Sequence, residues 1–222
     1  MKVSKPASTV ARGPGRPRDE DVRLRVLKAA SGLLEEVGFR SVTVDAIAER
    51  AGASKATVYR WWPDKASVLI EAFRTAVSPE FPFADTGSLR GDIKTQLRRF
   101  SRFLLGPRGK LLAAIVVGAQ EDPEMAAALR DHWIRPLRKR GQAVLNRYKI
   151  NGELPASADL DLVQDMMYAP FYYNLLTGYT PISEAYADKL TQALLAGLSS
   201  HPGQGLRRVG FSPRGTSVPP AP

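Results

Sequence analysis

The sequence predicts an all-α protein, and three observations support that fold class. Apolar residues recur at spacings of three and four residues almost everywhere between the two ends of the 222-residue chain, which is the period of amphipathic helices. No convincing run alternates apolar and polar residues as a half-buried strand would. Glycine, proline and N-capping residues separate one apolar stripe from the next.

Two helices are predicted first along the chain. The first has an apolar stripe formed by Val22, Val26, Leu27, Ala30, Leu33, Leu34 and Val37. Gly38 is expected to end it. The second, VDAIAERA, follows Thr43 as N-cap, has Asp45 in its first turn and is followed by Gly52.

The third and fourth helices lie on either side of a proline. Ser54 caps KATVYRWW, and Pro63 ends that helix because the residue before a proline avoids the α conformation. Helical spacing predicts that the inward residues are Val58, Trp61 and Trp62. The outward residues are Lys55, Tyr59 and Arg60. Asp64 caps the fourth helix, KASVLIEAFRTAV.

A Pro- and Gly-containing linker near residues 78–87 divides residues 19–78 from a second domain, residues 79–200. The second domain is predicted to contain a helix striped by Leu89, Ile93, Leu97, Phe100 and Leu104, and further helices over 108–120, 123–149, 159–178 and 183–198. Pro136 and Pro170 should kink two of these helices. The last helix carries Ile182, Tyr186, Leu190 and Leu194 on one stripe. A four-residue repeat of cations, Arg90, Lys94, Arg98 and Arg102, is interpreted as a solvated face.

Composition limits the partners and the compartment. The net charge is +10, and residues 1–18 and 201–222 contain five and three basic residues with no acidic ones. Such a basic protein favours nucleic acid or acidic membrane surfaces. The chain has no cysteine, no signal-like N-terminus and no apolar stretch longer than Leu111–Ala119, too short to span a bilayer. We therefore expect a soluble, cytoplasmic protein without a membrane span.

The segment from Thr43 to Trp62 has helix-turn-helix spacing: a helix, a tight turn at Gly52, and a second helix. The small side chain of Ala56 would let the second helix lie deep in a DNA major groove. Lys55 and Lys65 each open a helix, where an anion such as phosphate is stabilised. A plain helical hairpin is the alternative interpretation.

The segment TVDAIAERAGASKATVYRWWPDKASVL resembles the DNA-binding region of tetracycline-repressor-type (TetR family) regulators, over roughly residues 20–78. The resemblance implies phosphate contacts for Thr43, Tyr59 and Lys65. It also implies base contacts for Lys55, Ala56 and Thr57, and the alternative for Thr57 is a position shared between base and phosphate. Asp45 departs from members that have a basic residue there, and capping is its safer role.

The resemblance also implies what the second domain does. That domain would bind a small-molecule effector, and helices 159–178 and 183–198 would pair with those of a second copy in a homodimer. Two-fold symmetry would then require a palindromic operator. The function implied is a transcriptional regulator, most often a repressor released by its effector. An architectural DNA-binding protein without effector control is an alternative, and ligand-induced release from DNA would discriminate the two.

The two chain ends are predicted to be disordered over 1–18 and 201–222. Gly15-Arg16-Pro17 is similar to the core of minor-groove AT-hook peptides, which would place Arg16 in an A·T-rich groove. A merely solvated tail is the equal alternative.

The effector site is predicted near MMYAPFYY, Met166 to Tyr173, where Pro170 would leave a helix carbonyl without its usual partner. The candidate ligand-binding residues are Phe103, Trp133, Met167 and Phe171. The alternative is that these residues are simply core. No phosphate loop, GxSxG elbow or HExxH motif is present, so a helical enzyme is disfavoured. We expect no metal and no cofactor.

Overall fold

A computed structural model describes residues 16–80 and 82–199. Its helices are α1 (Arg16–Ser41), α2 (Val44–Ala51), α3 (Lys55–Trp61), α4 (Lys65–Val77), α5 (Leu89–Leu105), α6 (Pro107–Gly118), α7 (Pro123–Ala128), α8 (Arg135–Ile150), α9 (Leu160–Thr177) and α10 (Glu184–Ser199). A 3-10 turn covers Ser78–Glu80, and a π-helical segment, Leu129–Ile134, joins α7 to α8. Within the described ranges there is no strand, which confirms the all-α prediction. Those ranges also contain no helix long and apolar enough to cross a bilayer.

Helix α1 begins at Arg16, three residues inside the segment predicted to be disordered. The apolar stripe starts only at Val22, so the pattern could not mark this start. Pro17 fits a first helical turn, where its missing N–H has no partner to lose. The remaining predictions of disorder, for residues 1–15 and 201–222, lie outside the described residues.

The predicted caps of the helix-turn-helix are present. The hydroxyl of Thr43 accepts from the backbone N–H of Ala46 at 3.2 Å, and that of Ser54 accepts from Thr57 at 3.1 Å. Gly52 has the left-handed φ of 60° that lets α2 end and the chain turn at once into α3. Gly38, with φ of 75°, breaks the helical path of α1 at the predicted place.

The prediction that both tryptophans face inward is wrong for one of them. Trp62 is 1% exposed and belongs to the core, whereas Trp61 is 37% exposed. Trp62 is extended, with φ of −131° and ψ of 121°, because Pro63 follows it. The chain therefore leaves helical register between the two rings, and Trp61 lies near the guanidinium groups of Arg23 and Arg60.

Two features of the C-terminal domain differ from the prediction. The single helix expected over 123–149 is interrupted by the π-helical segment, because Pro136 at the start of α8 cannot donate to the preceding turn. The cationic repeat on α5 is not only a solvated face. Arg98 donates to Asp188 of α10 at 2.7 and 2.5 Å, and Arg102 lies 3.2 Å from Glu184. These ion pairs fix α10 against α5.

Helices α9 and α10 pack against the core of the same chain. Helix α9 includes Pro170 without interruption. The stripe predicted on α10 faces the core of the same chain, since Leu194 is buried and the ring of Tyr186 meets Phe171 edge-on at 5.4 Å.

Helix α4 connects the two domains. It is buried on nearly all sides over Ala66–Phe73, packing on α1 at one side and on the π-helical segment at the other. The ring of Phe73 lies 5.1 Å from Trp133 and 6.3 Å from Phe103, so aromatic contacts extend from α4 into the C-terminal domain. The two domains therefore share one continuous core at α4.

The turn at Gly52 generates a stability prediction. Gly52→Ala places a side chain in the left-handed region and is expected to reduce the free energy of unfolding by about 1–2 kcal/mol. Gly32→Ala is the matched control, since Gly32 lies inside α1 with room for a methyl group and should gain about 0.5–1 kcal/mol. Denaturant unfolding measures both, and equal effects of the two substitutions would contradict the assigned turn.

Candidate nucleic-acid interface and C-terminal cavity

The exposed face of α3 presents the residues that the sequence predicted to contact DNA. Lys55, Ala56 and Tyr59 are exposed and Thr57 is partly buried, with Tyr59 45% accessible. Val58 on the opposite face is buried, so it anchors the helix. Thr43 is exposed at the start of α2, and its capping bond uses the hydroxyl only as acceptor. That hydroxyl can still donate to a phosphate oxygen.

An ion pair joins the starts of α2 and α3 on this surface. The Lys55 ammonium donates to the Asp45 carboxylate at 3.0 Å, and both side chains are exposed. This hydrogen bond, with the carboxylate's charge, raises the pKa of Lys55. Sequence reasoning gave Asp45 a role in capping and missed the pair. A DNA group that accepts a hydrogen bond from Lys55 must therefore compete with Asp45.

The other predicted contact residues lie at the edges of this surface. Lys65 is partly buried at the start of α4, with its ammonium 3.4 Å from the Arg40 carbonyl and 5.6 Å from the centre of the Phe39 ring. It is thus held beside the end of α1. The Thr57 hydroxyl bonds that of Ser54 at 2.8 Å. The Arg16 side chain, predicted to enter a minor groove, lies outside the described residues.

A buried carboxylate, Glu71 of α4, holds the end of α3 in place. Glu71 is 8% exposed. Its carboxylate accepts from Trp62 Nε1 at 2.5 Å and from the Arg23 guanidinium of α1. Arg74 lies 3.6 Å away on the same helix, and Nδ1 of His132 in the π-helical segment lies 3.7 Å away. One side chain therefore contacts α1, the end of α3 and the C-terminal domain.

A cavity of about 220 Å³ lies where α4 meets α5, α8 and α9. Its walls are mostly apolar, with Phe100, Trp133, Tyr168 and Tyr172 as the largest rings. Trp133 Nε1 donates to the Tyr172 hydroxyl at 3.0 Å. Helix α4 contributes Arg74 and Val77 to the wall, and Ser78 follows directly in the 3-10 turn. The mostly apolar lining with a few polar groups is that of a small-molecule site, and the volume lies below the roughly 300–1,000 Å³ of drug-sized pockets, so only a small ligand fits.

The four predicted ligand residues are not brought together in this cavity. Trp133 lines it, but Phe171 is 0% exposed and lies in the core. Met167 lines a separate space of about 20 Å³. Phe103 lines a wide cleft of about 840 Å³ between α1 and the α5–α6 turn. That cleft is lined by the basic residues Arg99, Arg102, Arg108 and Lys110.

The α9 residues that line the cavity each lie one position after the residues predicted from the sequence. Tyr168 and Tyr172 line it, whereas Met167 and Phe171 were chosen from the sequence. Both pairs are spaced by four residues, so helical period alone cannot choose between them. Tyrosines carry a hydroxyl as well as a ring, which is a signal for a partly polar site. Arg74, Ser78 and Gln96 were also missed.

The fold and these two sites define a helix-turn-helix DNA-binding regulator with a C-terminal cavity. The family model described as "Bacterial regulatory proteins, tetR family" matches residues 26–72. The model described as "Tetracyclin repressor-like, C-terminal domain" matches residues 83–194. The chain belongs to the TetR family and is a DNA-binding transcriptional regulator, as the resemblance implied.

Individual relatives are similar to this chain over most of its length. The HTH-type transcriptional regulator YdeS of Bacillus subtilis (strain 168) is 36% identical over 186 residues, which cover 84% of this chain and 94% of YdeS. The DNA-binding transcriptional repressor TetR of Mycobacteroides abscessus is 28% identical over 180 residues, covering 80% and 94%. The crystal structure of the TetR family transcription regulator SCO0332 superposes with a TM-score of 0.73 at 30% identity, covering 80% of this chain and 98% of that one.

The Lys55–Asp45 pair generates a prediction about DNA binding. Asp45→Asn removes a negative charge and frees Lys55, so affinity for DNA of unrelated sequence should rise. The slope of log affinity against log salt should steepen by up to about one unit, the contribution of one further phosphate contact.

The matched control is Asp85→Asn, which removes an exposed acid paired with Arg147 in the other domain. Fluorescence anisotropy at several salt concentrations measures both variants. If the two substitutions change the slope equally, Asp45 acts only through net charge, and the local role is wrong.

Proposed function

We propose that the protein is a cytoplasmic homodimeric repressor that binds a palindromic operator and is released when a small molecule fills the cavity beside α4. The observation that carries this proposal is the double role of α4. Arg74 and Val77 of this helix line the cavity, while Glu71, one turn before Arg74, holds Trp62 at the end of α3. A ligand that displaces α4 therefore moves the helix that faces DNA.

Release requires that the ligand bind one arrangement of the DNA-binding domains better than the other. The contacts of Glu71 favour distinct arrangements of α3 and α4 over a gradual shift, since a buried carboxylate that loses its hydrogen-bond partners is strongly destabilised. Trp133 lines the cavity, and the adjacent His132 lies 3.7 Å from Glu71. The π-helical segment thus provides a second route from the cavity to the same carboxylate.

DNA recognition is assigned to the exposed face of α3 and its edges. In this proposal Lys55, Ala56 and Thr57 read bases, and Thr43, Tyr59 and Lys65 bind phosphates. Two copies related by a two-fold axis read half-sites about one helical turn, roughly 34–36 Å, apart. Selection from a random DNA pool identifies the operator, and a selected sequence without two-fold symmetry would contradict the dimer.

The proposed dimer contact is the outer face of α9. Five residues on it are exposed and share one side of the helix: Leu162, Met166, Ala169, Tyr173 and Leu176. Beside it, α10 exposes small residues, Ala185, Ala193 and Ala196. An exposed apolar stripe this long is typical of a protein–protein contact. A second copy presents the same stripe and can cover it by symmetry.

Filling the cavity by mutation should imitate the ligand. Val77 is buried on α4 and lines the cavity, so Val77→Phe occupies part of it without any added compound. We expect operator affinity to fall by about 5–150-fold, the usual range of coupling between two sites. Anisotropy with the selected operator measures the change.

Val77→Ala is the control, since it enlarges the cavity and should leave operator affinity near that of the unmodified protein. Thermal melting must show that both variants are folded. If folded Val77→Phe binds the operator normally, occupancy of this cavity is not linked to DNA binding, and an architectural protein becomes the better description.

The dimer contact has its own test. Leu176→Arg introduces a charge into the proposed interface, where burial without a partner costs several kcal/mol. It should convert the dimer to monomer in sedimentation velocity and weaken operator binding. Ile150→Arg places the same charge on an exposed apolar residue of α8, away from the stripe, and should leave the dimer intact. Dissociation by both variants, or by neither, would contradict the assignment.

A further inference from the structure

Three polar atoms around the cavity have no hydrogen-bond partner within the protein. Among the described side chains, the buried oxygen and nitrogen atoms in this state are Arg74 Nε, Ser78 Oγ and Gln96 Oε1. All three residues line the 220 Å³ cavity. Buried polar atoms without partners are rare in proteins. Their concentration on one wall indicates that a bound molecule supplies the partners.

The orientation of Gln96 defines what that partner must offer. Gln96 is 6% exposed, and its amide oxygen Oε1 is buried without a hydrogen-bond partner in the protein. The carbonyl oxygen is left to accept, so the ligand needs a hydroxyl or N–H group on this side.

Charge defines the other end of the ligand. Arg138 of the cavity wall donates to two carboxylates, Asp161 at 3.1 Å and Asp165 at 2.5 Å, so this end of the wall carries no excess of positive charge. Asp165 itself also lines the cavity. Arg74 shares Glu71 with Arg23, and burial together with the charges of Arg140 and Arg23 lowers the pKa of Arg74. A guanidinium nevertheless stays charged in proteins.

The neighbouring phenols do not offset this charge. Burial raises the pKa of Tyr168 and Tyr172 to about 12, so both are neutral at physiological pH. The positive charge of the wall therefore lies at the Arg74 end, where Arg23 and Arg74 share the single carboxylate of Glu71. An anionic acceptor at this end gains more than a neutral one does.

Size and shape limit the body of the ligand. The cavity, at about 220 Å³, exceeds the roughly 150 Å³ that holds benzene in an engineered protein cavity. The Phe100 ring meets Tyr168 edge-on, with the ring centres 5.2 Å apart, and is tilted by 54° to Tyr172 at 5.9 Å. Trp133 lines the same space. Aromatic walls of this kind favour a flat ring. One substituted ring, or two fused rings, fits.

We propose that the effector is a small aromatic carboxylate bearing a hydroxyl group. Its carboxylate accepts from Arg74 Nε and the Ser78 hydroxyl, and its hydroxyl donates to Gln96 Oε1. The ligand's oxygens thus supply the partners that these three atoms lack within the protein. This inference rests on the proposed function for its regulatory meaning, but the binding chemistry can be tested alone.

The test is a matrix of probes against variants of the full-length protein. The test compounds are the three hydroxybenzoates and 6-hydroxy-2-naphthoate. Benzoate and 2-naphthoate are the controls without a hydroxyl group. The amides 4-hydroxybenzamide and 6-hydroxy-2-naphthamide are the controls without a negative charge. Variants are Gln96→Leu, which removes the acceptor at similar volume, and Arg74→Lys, which keeps the charge for Glu71 but removes Nε. Calorimetry gives the dissociation constants, and melting curves confirm folding.

We expect at least one hydroxy acid to bind, and Gln96→Leu to weaken it by about tenfold while leaving the acid without a hydroxyl nearly unchanged. Arg74→Lys should weaken the carboxylates more than the amide. Binding that ignores both substitutions overturns the proposal, as does preference for the neutral amide. Ser78→Ala, a smaller change, repeats the test on the carboxylate side if Arg74→Lys does not fold.

The outcome for regulation is read separately, by adding the bound hydroxy acid to the operator complex. Release of DNA supports both the ligand class and the proposed function. If a hydroxy acid binds with the expected pattern but does not release the operator, the proposed ligand class is supported, but control of DNA binding by this ligand is overturned. No binding of any probe, together with weak operator binding by Val77→Phe, overturns the ligand class and leaves the proposed function standing.

Discussion

The buried carboxylate of Glu71 is the constraint on which the arrangement of the two domains depends. A charge removed from water is tolerated only where hydrogen bonds and opposite charges replace its hydration. Here those partners come from α1 through Arg23, from the end of α3 through Trp62, and from α4 itself through Arg74. Removing one partner of such a group typically costs about 3–5 kcal/mol. The end of α3 is therefore held against α4 by the hydrogen bonds and ion pairs of Glu71, which are lost or kept together.

This constraint explains how a small cavity could control a distant surface. Arg74 is three residues from Glu71, so the two side chains lie on the same face of α4, 3.6 Å apart. An anion bound at Arg74 competes with Glu71 for the same guanidinium. Glu71 would then depend more on Arg23 and Trp62, and the balance that fixes α3 would change. Coupling between the cavity and α3 needs no long chain of contacts, because one turn of α4 separates Arg74 in the cavity wall from Glu71.

Sequence reasoning succeeded where the cause of a structure is local. Thr43, Gly52 and Ser54 act through bonds to residues at most four positions away, and their roles in capping and turning were predicted. Non-local contacts were not predictable. Glu71 stands in an apolar run with nothing to mark Arg23 as its partner, 48 positions away, and Arg98 meets Asp188 across 90 positions. The choice between Met167 and Tyr168 as cavity residues likewise depends on how α9 is rotated, which packing decides.

The Lys55–Asp45 pair shows how the DNA-facing surface can be selective as well as attractive. Phosphate attraction is the same for every DNA sequence, so an unrestrained cation adds affinity without discrimination. Asp45 offsets part of that attraction and holds Lys55 by a 3.0 Å hydrogen bond at the N-terminal end of α3. A base edge that offers a well-placed acceptor can replace the carboxylate, since a good base contact discriminates by about 1–3 kcal/mol. A random phosphate must displace the same carboxylate with no such gain. Where Lys55 reads bases, as proposed, the acid beside it therefore favours specific over non-specific complexes.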